Sequence, residues 1–301
     1  MKMILLCLLI IILSITSFAF TAQANSSKVI FACFITKPPV IGVSLKNQCW
    51  REANIGDNFL QYVNQDKSVS SDMQTRFSVL YDQKNIYIMI YCKGKMEHGI
   101  KKTPAGQWPN GDVIEIFLDP GLTRSKYYQF AANPQGGSYA GFGPIPKNYD
   151  WQTFSCEEKD GWMMEVRIPW SSLSSLLPKD GEIWGINICR DYGGVPFSTW
   201  MGVGLYFAQP GDFGFLVFGN QEQWWRKEFP LYCRDAEMKI ERFLKRTNDI
   251  SILHRFEAIR ISYIRLMNRP HPDFSEAETI LTHYQDIIQE IKWISAMNQK
   301  P

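Results

Sequence analysis

The feature that most constrains the fold is a succession of short apolar strands separated by turn residues, which runs from Val29 to Gly219. Apolar residues alternate with polar or aromatic ones, and each run stops at a cluster of Gly, Pro, Asn or Asp. Many short strands without helices between them are typical of an antiparallel β-sandwich. We therefore predict a mainly β domain here. The predicted strands are Arg76–Tyr81, Ile86–Tyr91, Val113–Leu118, Tyr127–Ala132, Trp162–Ile168, Ile183–Cys189 and Phe213–Phe218.

A helical extension is predicted for residues 220–301. Ser275, followed three residues later by Glu278, has the form of a capping box. Asn268–Pro272 separates the two longest helices, which are predicted to form an αα-hairpin. Its apolar stripe must pack on the sandwich or on another chain, and folding back onto the same chain is the commoner outcome. The predicted helices are Cys233–Arg246, Asn248–Asn268 and Ser275–Met297.

The N terminus predicts export. Lys2 precedes the apolar run Met3–Ile15, and Ala22 to Ala24 supplies the small-x-small pattern of a cleavage site. The run is short for a membrane span, and no later stretch is long and apolar enough to cross a bilayer. We predict a signal peptide over residues 1–24 and a secreted, periplasmic or extracellular mature protein without a transmembrane segment.

The cysteines fit an oxidising compartment. An even number after residue 24 permits up to three disulfides, although no spacing fixes their pairing, and free buried thiols are the alternative. The absence of a CxxC pair argues against a zinc site. The six residues are Cys33, Cys49, Cys92, Cys156, Cys189 and Cys233.

Composition excludes two classes of protein. Hydrophobic residues make up 45% of the chain, which is enough to build a core and argues against disorder. The formal net charge is +2, with charges of both signs interspersed. A general polyanion binder is therefore not indicated, and nucleic acid is not a predicted partner.

The stretch Gln107–Gly121 combines an aromatic loop residue with a carboxylate on an apolar strand. Trp108 lies in the loop, and the alternation of the strand places Asp112 and Glu115 on opposite faces. A buried carboxylate is costly unless it is hydrogen-bonded or charge-paired. An exposed Trp108 near Glu115 would offer a flat platform and a polar anchor for a sugar ring. On these residues alone, the simpler interpretation is that Trp108 caps the core and Glu115 anchors a neighbouring loop.

Several segments, in this order, together resemble the family 9 carbohydrate-binding module. The resemblance covers nearly everything between Val29 and Gly219 and leaves the helical extension outside it. It implies a calcium-supported β-sandwich in which two aromatic rings clamp a terminal sugar. The segments are Trp50 to Ala53, Leu80 to Ile88, Gly111 to Gly121, Tyr127 to Gly136, Gly161 to Leu173, Gly181 to Tyr192 and Asp212 to Phe218.

Such modules commonly accompany xylanases and other secreted glycoside hydrolases and have no catalytic role of their own. The resemblance therefore implies a secreted, non-catalytic protein that binds oligo- or polysaccharides such as xylan or cellulose fragments. It implies a place in carbohydrate catabolism beside glycoside hydrolases.

The resemblance also assigns binding residues. Trp108 holds the place of the first clamp residue, with one extra residue intervening. Glu115 matches the ligand-contacting carboxylate of the central strand. Asp112 holds the position of the family Asp that precedes it in the same strand. The second clamp position falls on Phe207, beside Tyr206.

Two positions depart from the family pattern. An Arg of the family is replaced by Ala131, and an Asn before the second clamp residue is replaced by Gly204. Each lost hydrogen-bond donor to a sugar hydroxyl costs on the order of 1–3 kcal/mol. These two departures therefore lower the predicted affinity for a saccharide and leave the predicted fold unchanged.

Calcium is the one cofactor that the resemblance implies. Five aspartates in loops rich in oxygen ligands are candidates, although none has EF-hand spacing. The candidates are Asp57, Asp66, Asp72, Asp119 and Asp150.

Two other functions compete with saccharide binding. The first is a haem-binding electron-transfer module, because related sandwich folds also carry b-type haem. His98, Met96 and Met201 are the available axial ligands. A glycoside hydrolase, or an accessory part of one, is the other alternative. Asp112 and Glu115 suit it poorly, because two catalytic carboxylates must face each other across the substrate.

Overall fold

The computed structural model describes residues 28–42, 48–64, 67–96, 98, 100, 103–104, 106–173, 177–192, 197–202, 204, 206–270 and 273–298. The predicted signal peptide, residues 1–24, lies outside this part of the chain, and so does Asp66. Among the helices that the structure describes, none has the length and hydropathy of a membrane span.

The described part of the chain contains strands that pair into one continuous, curled arrangement. The strand bounds agree with the predicted ones to within a few residues, because turn residues mark them locally. The strands are β1 Val29–Phe34, β2 Leu60–Gln61, β3 Thr75–Tyr81, β4 Asn85–Lys93, β5 Val113–Asp119, β6 Tyr128–Ala132, β7 Ser138–Phe142, β8 Ile145–Pro146, β9 Gln152–Glu158, β10 Gly161–Pro169, β11 Ile183–Asp191, β12 Ser198–Thr199 and β13 Gly214–Phe218.

Two sheets share β1. The front sheet has the order β8-β7-β6-β5-β11-β13-β1, with β12 and β2 attached beside β11, and the back sheet has the order β1-β3-β4-β10-β9. The first half of β1 pairs with β13, as in Val29 opposite Phe215, and its end pairs with β3, as in Cys33 opposite Leu80. Both pairings are parallel, whereas the other pairs are antiparallel. The predicted β-sandwich is confirmed, and β1 is the strand that joins its layers.

The core lies between the two sheets and follows the alternation of the strands. In β5, Ile114, Ile116 and Leu118 face the core, and Val113, Glu115 and Phe117 face outward. In β11, Trp184 and Ile188 are fully buried in the same cluster. One face of each sheet therefore packs in the core. A binding site must then lie on an outer face or in the loops.

Three helices follow the sandwich. A short helical turn, Gln221–Gln223, and a π-helical turn, Trp224–Glu228, lead directly into the first. The second and third form the predicted hairpin, and the first completes a three-helix bundle. The helices are α1 Phe229–Thr247, α2 Ile250–Met267 and α3 Phe274–Met297.

The bundle packs on the outer face of the front sheet. Phe31, Phe215 and Val217 share one apolar cluster with the inner faces of the three helices. Trp224 meets Phe31 edge to face, with ring centroids 5.5 Å apart. The prediction that the helices fold back onto their own sandwich is therefore confirmed.

The predicted capping box of α3 is wrong. The N-cap is Asp273, whose carboxylate accepts hydrogen bonds from the backbone N–H groups of Ser275 and Glu276. Ser275 consequently lies inside the first turn. The Glu278 side chain accepts a hydrogen bond from the Lys28 backbone N–H at 2.6 Å, and so joins α3 to the start of β1.

The six cysteines carry free thiols, so the structure does not support the predicted disulfides. Cys92, Cys189 and Cys233 are buried. Burial raises the pKa of Cys92 to about 12, since a thiolate in the apolar core would be desolvated. The alternative, that cysteines serve as buried apolar residues, describes these three.

Candidate functional site

The helical bundle contacts the outer face of the front sheet at β1 and β13. The outer face continues across β11, β5, β6 and β7. Across this part the strand register aligns four residues: Cys189 opposite Glu115, Glu115 opposite Ala131, and Ala131 opposite Tyr139. Side chains directly opposite on neighbouring antiparallel strands lie about 4.5–5.5 Å apart at Cβ. These four residues, which we call the cross-strand row, form a line across β11, β5, β6 and β7.

Glu115 supplies the only carboxylate within that row, and it is 5% exposed. The Gln129 side-chain amide donates a hydrogen bond to its Oε2 at 2.8 Å. Burial raises the pKa of Glu115 to about 7, against the lowering effect of the Gln129 hydrogen bond and with a smaller raising effect from Asp191. The carboxyl is thus a positioned acceptor whose charge changes near neutral pH.

Trp108 stands at the β7 end of the cross-strand row. Its side chain is 41% exposed, and its ring lies 5.3 Å from that of Tyr139, tilted by 53°. Gly111, with φ +80°, turns the chain from this loop toward β5. Trp108 is therefore a surface platform supported by Tyr139, and it does not cap the core.

Tyr206 and Phe207 stand at the β11 end of the row. Phe207 is half-buried, packs with Tyr62 at a centroid distance of 4.8 Å and with Phe197 at 6.2 Å, and adjoins Phe117 and Cys189. Tyr206 is 70% exposed. The structure thus places the two predicted aromatic positions at opposite ends of the row that contains Glu115.

Asp112 is placed differently from the other predicted site residues. It is fully buried on the core side, where both of its oxygens accept hydrogen bonds from Arg190 and one also accepts from Trp162. These bonds hold its carboxylate between the two sheets, away from the outer face that carries Glu115. Asp112 therefore supports the strand that presents Glu115.

The two departures from the family pattern have a structural counterpart. Ala131, between Glu115 and Tyr139, leaves the middle of the row without a long side chain. The Gly204 backbone N–H donates to the Asp212 carboxylate at 2.9 Å, which closes the base of the loop that carries Tyr206. A Cβ atom at Gly204 would lie only 2.7 Å from the Gln209 Oε1.

Sequence reasoning missed Gln129, Tyr139 and Tyr62. Gln129 lies two residues before Ala131 and so shares its face, which the alternation of β6 alone could have indicated. Tyr139 and Tyr62 reach the site through strand register and loop packing, for which the sequence carries no local signal.

Of the calcium candidates, Asp57, Asp72, Asp119 and Asp150 lie in the part of the chain that the structure describes. Among the described residues, no group of three His, Cys, Asp or Glu side chains is arranged to hold a metal ion. Asp119 instead anchors its own turn, since its carboxylate accepts from the backbone N–H groups of Thr123 and Arg124. Asp150 lies 3.7 Å from Arg167.

The candidate haem ligands lie in different surroundings. His98 is a surface side chain, 3.4 Å from Glu157. Met96 and Met201 pack against the sandwich core. The described residues therefore fit a haem site poorly.

The structure is a β-sandwich in which a carboxylate on the outer face of the front sheet lies between two groups of aromatic side chains. Residues 41–194, just over half of the chain, match the family described as Carbohydrate family 9 binding domain-like. The chain belongs to this family. No curated protein matches it significantly in sequence.

Solved structures with a similar fold include proteins of two organisms. A protein of Bacteroides uniformis ATCC 8492, proposed to bind carbohydrate, is 16% identical with a TM-score of 0.52, over 64% of this chain and 100% of that chain. A family 9 carbohydrate-binding module from Caldicellulosiruptor kristjanssonii is 19% identical. In complex with cellotriose it has a TM-score of 0.48 over 65% of this chain and 96% of that chain, and in complex with glucose 0.49 over 64% and 97%. At these identities, the likeness concerns the fold.

Proposed function

We propose that this protein is an exported, non-catalytic saccharide-binding protein whose site is the cross-strand row. The observation that carries the proposal is the placement of Trp108 and Phe207 at opposite ends of a row centred on Glu115. Membership of the family supports the same class of ligand. The predicted signal peptide supports export and a place beside secreted glycoside hydrolases.

Each part of the site has a distinct task. The Trp108 and Tyr206 rings offer apolar faces on which the C–H faces of a pyranose can stack. Glu115 accepts hydrogen bonds from sugar hydroxyls, and Gln129 fixes the orientation of its carboxyl. A charged acceptor contributes about 1.5–3 kcal/mol per hydrogen bond, so Glu115 is the polar residue on which affinity depends most.

We expect the affinity to be modest, because the donors of the family Arg and Asn are absent at Ala131 and Gly204. Each missing contact of about 1.4 kcal/mol weakens binding about tenfold. Xylo- and cello-oligosaccharides are the proposed ligands.

Calorimetric titration of the mature protein against these oligosaccharides tests the proposal. Wild type is expected to bind saturably, Trp108→Ala to lose binding, and Trp293→Ala to bind as wild type. Trp293 is the matched control because it is a 65% exposed Trp on α3 and does not belong to the cross-strand row.

The proposal is wrong if folded wild type binds none of the oligosaccharides, or if Trp108→Ala binds as well as Trp293→Ala. Repeating the titration with a chelator tests the calcium prediction separately. A fall in affinity or thermal stability that added Ca²⁺ restores would support a bound calcium ion.

A further inference from the structure

Helix α2 carries an apolar stripe on its outer face. Ile250, Leu253, Ile261 and Ile264 are 67%, 39%, 57% and 54% exposed. At about 100° per residue, they fall within an arc of roughly 80° around Glu257. The opposite face of α2, which includes Phe256, packs into the bundle. The fold therefore leaves this stripe, which we call the α2 stripe, uncovered by described residues.

The spacing of the α2 stripe is symmetric about Glu257. Ile250 and Ile264 lie seven positions before and after it. Leu253 and Ile261 lie four positions before and after it. A twofold contact is self-complementary: if residue i of one copy contacts residue j of the other, then residue j of the first copy contacts residue i of the second. Two α2 helices crossing antiparallel at Glu257 would place Ile250 against Ile264 of the second copy, and Leu253 against Ile261 of the second copy.

The charges at the ends of the stripe are complementary in this pairing. Asp249 lies eight positions before Glu257 and Arg265 eight positions after it. Asp249 of each copy would therefore meet Arg265 of the other copy, which gives two such pairs by symmetry. At the centre the two Glu257 carboxylates approach each other, which weakens the contact. His254 and Arg260 lie three positions to either side of Glu257.

The charge distribution favours a protein partner over a lipid surface. Binding of a helix to an anionic membrane depends on unpaired basic side chains beside its apolar face. Here Arg255 pairs with Glu290, and Arg260 lies 3.8 Å from Glu237. Arg269 pairs with Asp273 and Glu276. Most basic charge of this region is therefore neutralised within the bundle.

We propose that the α2 stripe is a docking surface for a second copy of this chain, which forms an antiparallel, twofold α2–α2 dimer. The contact involves four aliphatic side chains per copy, which places it in the class of small, transient interfaces. Each dimer would present two sandwich faces. A bivalent protein binds a repetitive polymer more tightly than either site alone.

Sedimentation velocity of the mature protein over a range of concentrations tests this proposal. Wild type is expected to convert from monomer to dimer, with no larger species. Ile261→Asp is expected to weaken dimerisation at least tenfold, and Arg265→Glu to weaken it several-fold. Glu257→Leu is expected to tighten it at least tenfold, because it replaces the repulsive centre with an apolar contact.

Met238→Asp is the control, since Met238 is 52% exposed on α1, outside the stripe. Circular dichroism verifies that every variant is folded. A monomer at all concentrations overturns the proposal, and so does a dimer that Ile261→Asp leaves intact. Co-flotation of monomeric wild type with phosphatidylserine vesicles, lost in Ile261→Asp, would assign the stripe to lipid instead.

Discussion

Arg190 donates to both carboxylate oxygens of Asp112 at the edge of the core, from Nε to Oδ1 at 2.9 Å and from Nη2 to Oδ2 at 2.7 Å. The two side chains are 2% and 0% exposed. Trp162 Nε1 donates to the same carboxylate, and Arg190 Nη1 donates to the backbone carbonyl of Lys93. The pair thus joins β5 and β11 of the front sheet to β4 and β10 of the back sheet.

Breaking this pair from one side is expected to destabilise the protein strongly. In Asp112→Asn, the guanidinium stays buried without its counter-charge, which costs about 3–5 kcal/mol. Urea denaturation followed by tryptophan fluorescence measures the loss. Asp235→Asn is the matched control, because its exposed pair with Lys239 is worth at most about 1 kcal/mol. Equal losses in the two variants would show that the buried pair has no special role.

The same pair shows what the sequence could and could not reveal. Alternation predicted that Asp112 and Glu115 face opposite ways, and turn residues bounded the strand. The partner of Asp112 lies 78 positions away, so the motif alone left Asp112 among the ligand candidates. The parallel pairings of β1 were missed for the same reason, since they depend on which distant strands flank it. Local chemistry predicts elements and faces, whereas pairing partners require the assembled fold.

The ionisation of Glu115 is expected to make stability fall as pH rises from 4.5 to about 7. Its pKa is about 7 in the folded state, against an ordinary value of 4.5. Below pH 4.5 both states are protonated. Between pH 4.5 and 7 only the unfolded state loses the proton, so the free energy of unfolding decreases, by at most about 3 kcal/mol. Above the folded-state pKa this contribution no longer changes.

Glu115→Gln is the variant that isolates this effect. An amide does not titrate, has nearly the same size as a carboxyl group and keeps one oxygen that accepts hydrogen bonds. Burial also raises the pKa of Asp119, Glu165 and Glu278, and these groups titrate in both proteins. The difference in unfolding free energy between wild type and variant, measured by urea denaturation from pH 4.5 to 8, should therefore shift in favour of the variant as pH rises. A difference that stays constant across this range would contradict the raised pKa.

The N-cap of α3 is expected to depend on Asp273 and not on Ser275. Asp273→Ala removes the acceptor of two backbone N–H groups and should cost about 0.5–2 kcal/mol of unfolding free energy. Ser275→Ala is the matched control and should have little effect, since alanine is favoured inside a helix. Thermal and urea unfolding measure both. A larger loss in Ser275→Ala would restore the capping box that the sequence predicts.

Arg124 is expected to control saccharide affinity from outside the binding row. Its Nη1 donates to the backbone carbonyls of Gly211 and Phe213, at 2.8 and 2.7 Å, and so anchors the segment that follows Phe207. Arg124→Ala frees that segment, which must then be ordered when the ligand binds. Ordering costs free energy, and we expect affinity to fall about tenfold, or roughly 1.4 kcal/mol.

Calorimetric titration against the oligosaccharide that wild type binds measures this effect, at a temperature where both proteins are fully folded. Arg124→Lys keeps the charge and one donor, so its affinity should lie between those of wild type and Arg124→Ala. A purely structural role for Arg124 would lower the unfolding temperature and leave affinity unchanged. Because Arg124 does not belong to the cross-strand row, a graded loss of affinity across the two variants would support an effect through the segment that Arg124 anchors.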